Sequence, residues 1–182
     1  ESQYFASRKI AEAIAARLSE PEGPEIVLVN PVSAQGWLEP LAMDTARARL
    51  ITALTARDPH RRLRLYHPYT ADGESIYVHA KVMIVDGQTL RIGSANMNNR
   101  SMGLDTECDV TLTGAAGSPV AARIATIRDE LIAEHLGVDA ERVTAGIAAD
   151  GLIATIEALR GDGRSLRPYN IPDLSEVEAW LA

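Results

Sequence analysis

The sequence predicts an α/β protein, because segments with helical periodicity alternate along the chain with short runs of β-branched residues. The chain has 182 residues, of which 46% are hydrophobic, and this is enough for one domain with a packed core. Aromatic residues make up only 4%, so we expect a core built mostly of Ala, Leu, Ile and Val. Since no apolar run approaches roughly 18 residues, the sequence predicts no transmembrane segment.

The elements follow from spacing and from turn formers. Apolar residues three or four positions apart predict helices at residues 6–18, 41–57, 123–135, 140–160 (interrupted near residue 150) and 174–181. Short apolar runs predict strands at 25–29, 63–66, 76–85, 90–92 and 110–113, with a loop at 67–73 and an irregular arm at 166–173. We therefore expect one α/β region at residues 1–117 and a helical extension at 118–182 that packs on it.

One stretch carries a dense set of reactive side chains in the pattern H-x-K-(x)4-D-(x)6-G-S-x-N, from His79 to Asn96. Side chains alternate between the faces of a strand, so His79 and Lys81 are expected to point the same way. If Gly87 and Gln88 form a two-residue hairpin loop, Lys81 lies opposite Ser94 and His79 lies opposite Asn96. A change of one residue in the loop would shift this register.

The residue types suit the transfer of a phosphodiester without a metal or another cofactor. An imidazole such as that of His79 can attack phosphorus or protonate a leaving oxygen near neutral pH. The Lys81 ammonium and the neutral donors of Ser94 and Asn96 can hold the non-bridging oxygens. A histidine in this role needs an orienting partner, and Glu107 precedes the strand predicted at 110–113, from which it could reach the ring.

These residues resemble the signature of the phospholipase D superfamily. The segment Gly93 to Met102 resembles the phospholipase D form of that motif, and Asp105-Thr106-Glu107 resembles its closing acidic segment. Glu1 to Phe5 resembles the E-x-Q-Y/F segment found upstream of the second motif in two-motif members. The resemblance covers residues 1 to about 136 and implies a mixed β-sheet flanked by helices. Whether Glu1 and Gln3 approach the pocket is left open.

The resemblance also implies a division of labour. Family members build one site from two such motifs, and this chain has one motif and no repeat, so it resembles the C-terminal half of a two-motif enzyme. The other half would carry the histidine that forms a phosphohistidine, and His79 would be the general acid and base. Lys81 and Asn96 would bind phosphate, Ser94 would support them and Glu107 would orient His79. Asp86 falls at the predicted hairpin turn, where we expect a structural role.

Composition bears on the partners. The net charge of −7 argues against nucleic acid as a partner, since a nonspecific nucleic-acid binder normally presents a basic face. The expected partners are a phospholipid substrate and the N-terminal half of the same enzyme, with self-association possible through an exposed apolar face. Cys108 is the single cysteine, and we expect a small buried residue there. The alternatives are a cardiolipin synthase-like transferase, a nuclease-type phosphodiesterase formed by dimerisation, or a domain that is catalytically silent in isolation.

Overall fold

The chain folds into mixed and antiparallel β-sheets flanked by helices, in a computed structural model that describes residues 1–32 and 39–171, without the side chains of 39–44. The helices are α1 (Arg8–Leu18), α2 (Glu39–Thr55), α3 (Pro119–Leu136), α4 (Ala140–Asp150) and α5 (Leu152–Leu159). The strands are β1 (Phe5–Ala6), β2 (Ile26–Val29), β3 (Leu63–Tyr69), β4 (Val82–Val85), β5 (Thr89–Gly93), β6 (Met97–Asn98), β7 (Asp109–Thr113) and β8 (Ser165–Pro168). The α/β prediction is confirmed. The helix predicted at 174–181 lies outside the described residues.

The central sheet has the order β2-β3-β8, with β2 parallel and β8 antiparallel to β3. Its two faces are both covered. One face packs against α1 and α2, where Leu28 and Leu65 are buried, and the other packs against α3 and α5, where Tyr66 and Ile156 are buried. Burial on both faces explains why β2 is a continuous apolar run rather than an alternating one.

Two predictions about this sheet are wrong. Residues 67–69 were expected in a loop, yet β3 continues through them, and residues 166–168 were expected in an irregular arm, yet they belong to β8. Both predictions were based on a proline, Pro68 in the first and Pro168 in the second, because proline usually interrupts a strand. Here β2 ends opposite Tyr66, so Pro68 faces a partner strand on one side only, and Pro168 ends an edge strand. The boundary proposed after residue 117 stays a prediction, although β8 joins the later residues to the central sheet.

The second sheet, β4-β5-β7, is antiparallel throughout and presents one wholly apolar face. Its register places these side chains together: Val82, Ile84, Leu90, Ile92, Val110 and Leu112. Leu90 is buried, but Ile92 is 49%, Leu112 52% and Val110 61% exposed. We call these six residues the apolar sheet face.

Within the described residues, none of the helices is both long enough and apolar enough to cross a bilayer.

His67 is a buried histidine of β3, and its ring lies outside the motif described above. Its Nδ1 lies 2.8 Å from the carbonyl oxygen of Asn30, and the ring meets that of Tyr169 edge to face at 5.4 Å. Burial lowers the pKa of His67 below 6.5, and the positive charge of Arg47 lowers it further. The hydrogen bond with the Asn30 carbonyl acts in the opposite direction, because it favours the protonated ring.

This burial predicts a pH dependence of folding. The unfolded chain takes up a proton on His67 near pH 6.5 and the folded chain does so only at lower pH, so the stability from the neutral ring is present above pH 6.5 and is lost as the pH falls. One such proton changes the free energy of unfolding by at most about 1.4 kcal/mol per pH unit. Urea unfolding at about pH 7.5 and about pH 5.5 measures the slope. His67→Gln should reduce it and His60→Gln, at an exposed histidine, should not. Equal slopes in the wild type and His67→Gln would show that another group titrates.

Candidate active site

The motif residues His79 and Lys81 lie in an extended segment immediately before β4. The strand predicted at 76–85 is shorter than expected and begins only at Val82. The Lys81 carbonyl accepts a hydrogen bond from the Gly93 amide at 3.1 Å, which keeps this segment against the start of the Gly93 to Asn96 turn. The two halves of the motif are therefore neighbours, as the spacing indicated.

The predicted pairing of individual residues is wrong by one position. Val85 pairs with Thr89, so the hairpin connection has three residues, not the two that were expected. Asp86 and Gly87 both take positive φ, 54° and 63°, and the Gln88 amide donates to the Val85 carbonyl at 2.9 Å. Lys81 therefore lies beside Gly93 and not opposite Ser94. Asp86 lies in this turn and is exposed. A structural role was expected for it there.

The first six residues of the chain run between the two parts of the motif. The backbone of Glu1 exchanges hydrogen bonds with that of Val82, at 2.7 and 3.0 Å. On the other side β1 pairs in parallel with β6, so that Phe5 lies opposite Met97. Gln3 lies between these anchor points and faces both parts of the motif.

The side-chain amide of Gln3 brings together Lys81 and Asn96. Its Oε1 accepts from Lys81 Nζ at 3.2 Å and from Asn96 Nδ2 at 3.3 Å. Its Nε2 donates to the hydroxyl of Tyr77 at 2.6 Å and to that of Tyr4 at 3.1 Å. Two phosphate-binding candidates that are 15 positions apart thus converge on one acceptor. Sequence analysis left the position of Gln3 open, included Tyr4 only as part of the E-x-Q-Y/F segment and missed Tyr77, although Tyr77 lies two residues before His79, on the same side of an extended chain.

Lys81 and His79 differ in their surroundings. Lys81 Nζ also donates to the His79 carbonyl at 2.7 Å, and partial burial lowers the pKa of Lys81 while the Glu107 charge acts to raise it. The His79 side chain is exposed, and its ring stacks beside that of Tyr77 with centroids 6.3 Å apart and planes 22° apart. Among the described residues the ring of His79 forms no hydrogen bond.

Ser94 and Glu107 form a contact of their own. The Ser94 hydroxyl donates to Glu107 Oε2 at 2.5 Å and accepts from the Cys108 amide at 2.9 Å. The expected hydrogen bond from His79 to Glu107 is not formed between these described residues, and the orienting role of Glu107 stays a prediction. Cys108 is exposed, so the expectation of a buried residue there is wrong.

Gly93 shapes the turn that carries Ser94 and Asn96. A Cβ atom at this position would lie 1.9 Å from Asp109 Oδ1 and 2.6 Å from the Cys108 carbonyl oxygen, so only glycine fits. The space lets the Asp109 carboxylate accept from the Ala95 amide at 3.3 Å while it pairs with Arg91 at 2.8 Å. The glycine of the motif therefore allows β7 to hold the turn in place.

The residues of this site lie within the part of the chain that matches a known protein family. The profile of the family described as "Cardiolipin synthase, PLD-like domain" matches residues 2–131, which is more than half of the chain and includes the whole site.

Curated relatives cover a shorter part. Phospholipase D alpha 1 of Oryza sativa subsp. japonica is 41% identical over 69 residues, and phospholipase D alpha 2 of Arabidopsis thaliana is 39% identical over 69 residues, in each case 35% of this chain. Phospholipase D zeta 1 of Arabidopsis thaliana is 37% identical over 91 residues, or 42% of this chain. Each alignment covers 8% of the relative, so the chain matches a small part of those proteins.

Proposed function

This chain belongs to the phospholipase D-like family, and from that premise we propose that it supplies one wall of a site that hydrolyses or transfers phospholipid phosphodiesters. The observation that carries the proposal is the convergence of Lys81 Nζ and Asn96 Nδ2 on a single oxygen, that of Gln3. Donors that already converge on one oxygen are arranged to bind the oxygens of a phosphoryl group. In phosphoryl transfer, positioning and charge stabilisation supply most of the catalysis.

His79 acts in this proposal as the general acid and base. A histidine of the other half attacks phosphorus, the bond from phosphorus to the headgroup oxygen breaks, and His79 gives its proton to that oxygen. The product is a phosphatidyl group on the attacking nitrogen. His79, now neutral, then removes a proton from water or an alcohol, whose oxygen attacks phosphorus and releases the nitrogen. The exposed ring of His79, which forms no hydrogen bond with the described residues, supports this role, since a shuttling imidazole needs access to both reactants.

The remaining motif residues serve the same oxygens. Lys81 supplies the positive charge and Asn96 a neutral donor, while Ser94 holds the turn between them through its contacts with Glu107 and Cys108. Glu107 has two tasks in the proposal: to orient His79 once both halves are present, and to favour the charged form of Lys81. No metal or other cofactor takes part in these steps.

A cardiolipin synthase-like phosphatidyltransferase is the second candidate, and the description of the matching family favours it. The two functions differ in the acceptor, which is water or a simple alcohol in one case and a second phosphatidylglycerol in the other. The experiment is an assay of the chain together with the half that carries the first motif, on phosphatidylcholine, on phosphatidylglycerol alone and on DNA. Turnover of DNA only would overturn both phospholipid proposals and favour the nuclease-type phosphodiesterase.

The apolar sheet face is the proposed contact with the other half. It is largely exposed, it lies on the strands next to the motif residues, and an apolar surface of this kind is also suited to pairing with a second copy of the chain. Val110 is its most exposed member. A substitution there should weaken either association without touching the site.

Residues 1–182 alone should be essentially inactive on phospholipids, because one wall provides an acid and base and half of a phosphate cradle but no nucleophile. The measurement is phosphatidylcholine hydrolysis by the purified chain, with sedimentation to determine its oligomeric state. Val110→Glu should abolish any self-association, and Leu104→Glu, at an apolar residue that is 78% exposed outside this face, is the matched control. Enzyme-like turnover that is lost in both His79→Ala and Val110→Glu would show instead that two copies assemble a working site.

A further inference from the structure

We propose that Gln3 is a positioning residue of this site, which sets where the Lys81 ammonium and the Asn96 amide meet a phosphoryl group. This role rests on the proposed function, because it presumes that those two donors bind phosphate. Gln3 lies outside the H-x-K and G-S-x-N patterns, and it contacts neither the headgroup proton nor phosphorus in the steps above. It acts through Lys81 and Asn96.

The orientation of the Gln3 amide follows from its neighbours. An ammonium has three N–H donors and no acceptor, so the Gln3 atom nearest Lys81 Nζ must be the oxygen. The other end of the amide faces the hydroxyls of Tyr77 and Tyr4, which accept its N–H groups. All of the polar capacity of this amide is therefore engaged, and a rotation that exchanges its ends would set donor against donor at Lys81.

The backbone around Gln3 is anchored from several elements. Glu1 is bonded to Val82 at the start of β4, and the Ser2 carbonyl accepts from the side chain of the fully buried Asn30, at 2.6 Å. The Glu1 carboxylate reaches α3, where it lies 2.6 Å from His135 Nε2, and both side chains are only 12% exposed. These contacts hold the backbone of Gln3 in place. The Gln3 side chain can therefore fix the position of the Lys81 ammonium through their hydrogen bond.

Lys81 and Asn96 each have N–H donors that their hydrogen bonds to Gln3 do not use. Lys81 uses one N–H on Gln3 and one on the His79 carbonyl, and among the described residues its third N–H is unused. Asn96 likewise uses one of its two N–H groups on Gln3. Each group therefore keeps one donor for a phosphoryl oxygen, and Gln3 holds these donors within two hydrogen-bond lengths of each other.

The chain offers a direct test because it contains only two lysines, Lys9 and Lys81. Selective ¹⁵N labelling of lysine gives one side-chain signal for each, and Lys9, exposed on α1, is an internal reference. Gln3→Met removes the acceptor at nearly constant length and should lower the pKa of Lys81. Gln3→Glu keeps an acceptor, adds a negative charge and should raise it. Neither change should move the Lys9 signal, and Gln88→Met at the hairpin turn is the matched control.

Shifts of the Lys81 pKa in opposite directions for the two substitutions would support the positioning role. A merely structural defect would change this pKa in the same direction in both variants, or not at all. An unchanged Lys81 titration in both variants would overturn the proposal.

A second measurement follows the Lys81 signal during addition of inorganic phosphate. Weaker binding to Gln3→Met, by at least about threefold, supports the inference, and equal binding overturns it. A wild-type chain that shows no response to phosphate would overturn the phosphate site itself, and with it the role of Gln3, even if the two substitutions shift the titration as expected.

Discussion

Replacing His79 with alanine should lower turnover by roughly 10²- to 10⁴-fold in the protein that unites this chain with the first-motif half. The leaving alkoxide loses its proton donor, and the later attack by water or alcohol loses its base. The loss should be greatest for a poor leaving group such as choline. It should be smaller for a nitrophenol ester, which departs without being protonated. The measurement is the ratio of kcat for the two substrates in wild type and variant.

His60→Ala provides the matched control, because this histidine is exposed and lies outside the site. It should leave both substrates unaffected. Near-normal turnover of a choline ester by His79→Ala would show that another group donates the proton. Equal losses on both substrates would indicate that His79 acts on phosphorus directly and not on the leaving oxygen.

Lys81→Met and Asn96→Ala should each reduce kcat/KM by about 3 kcal/mol of transition-state stabilisation, close to 10²-fold, because each removes a donor from the developing charge on the phosphoryl oxygens. The effect of the double variant should be smaller than the sum, since both donors converge on the same acceptor, Gln3. Steady-state kinetics with thermal unfolding of the same samples separates rate from stability.

Lys9→Met is the control for Lys81, as the second lysine of the chain and an exposed one. A large fall in Tm with unchanged activity per folded molecule would contradict the catalytic role and leave the contacts of Lys81 and Asn96 as structural ones.

The sequence predicted elements wherever local chemistry decides them. The interruption near residue 150 is confirmed, because Gly151 takes a φ of +90° between α4 and α5, a conformation that few other residues adopt. The hairpin between β4 and β5 is confirmed for the same reason, with Gly87 at positive φ. Asp86 also takes positive φ, which lengthens the connection to three residues and moves every cross-strand pair by one position. Local spacing alone could not distinguish the two connections.

Contacts between distant residues were harder to predict. The spacing of the motif brought its two parts together, but the acceptor on which Lys81 and Asn96 converge is 78 and 93 positions away from them. Nothing in the periodicity of the first six residues places Gln3 there. The resemblance of Glu1 to Phe5 to a family segment drew attention to Gln3 without giving its contacts. In the same way, β8 forms because a partner strand is present and not because its own four residues favour a strand.

The anchoring of the first residues has a consequence for the order of folding. The β4–β5 hairpin and the turn at Gly93 are local and can form early, within microseconds. The segment that carries Gln3 closes much longer loops, of 81 positions to Val82 and 134 to His135, and loops of this length are entropically costly to close. During synthesis Asn30 emerges early, but Lys81, Asn96 and His135 emerge later, so the contacts of the segment with these three residues can form only afterwards. Lys81 and Asn96 are therefore expected to acquire their shared acceptor late, after the motif hairpin has formed.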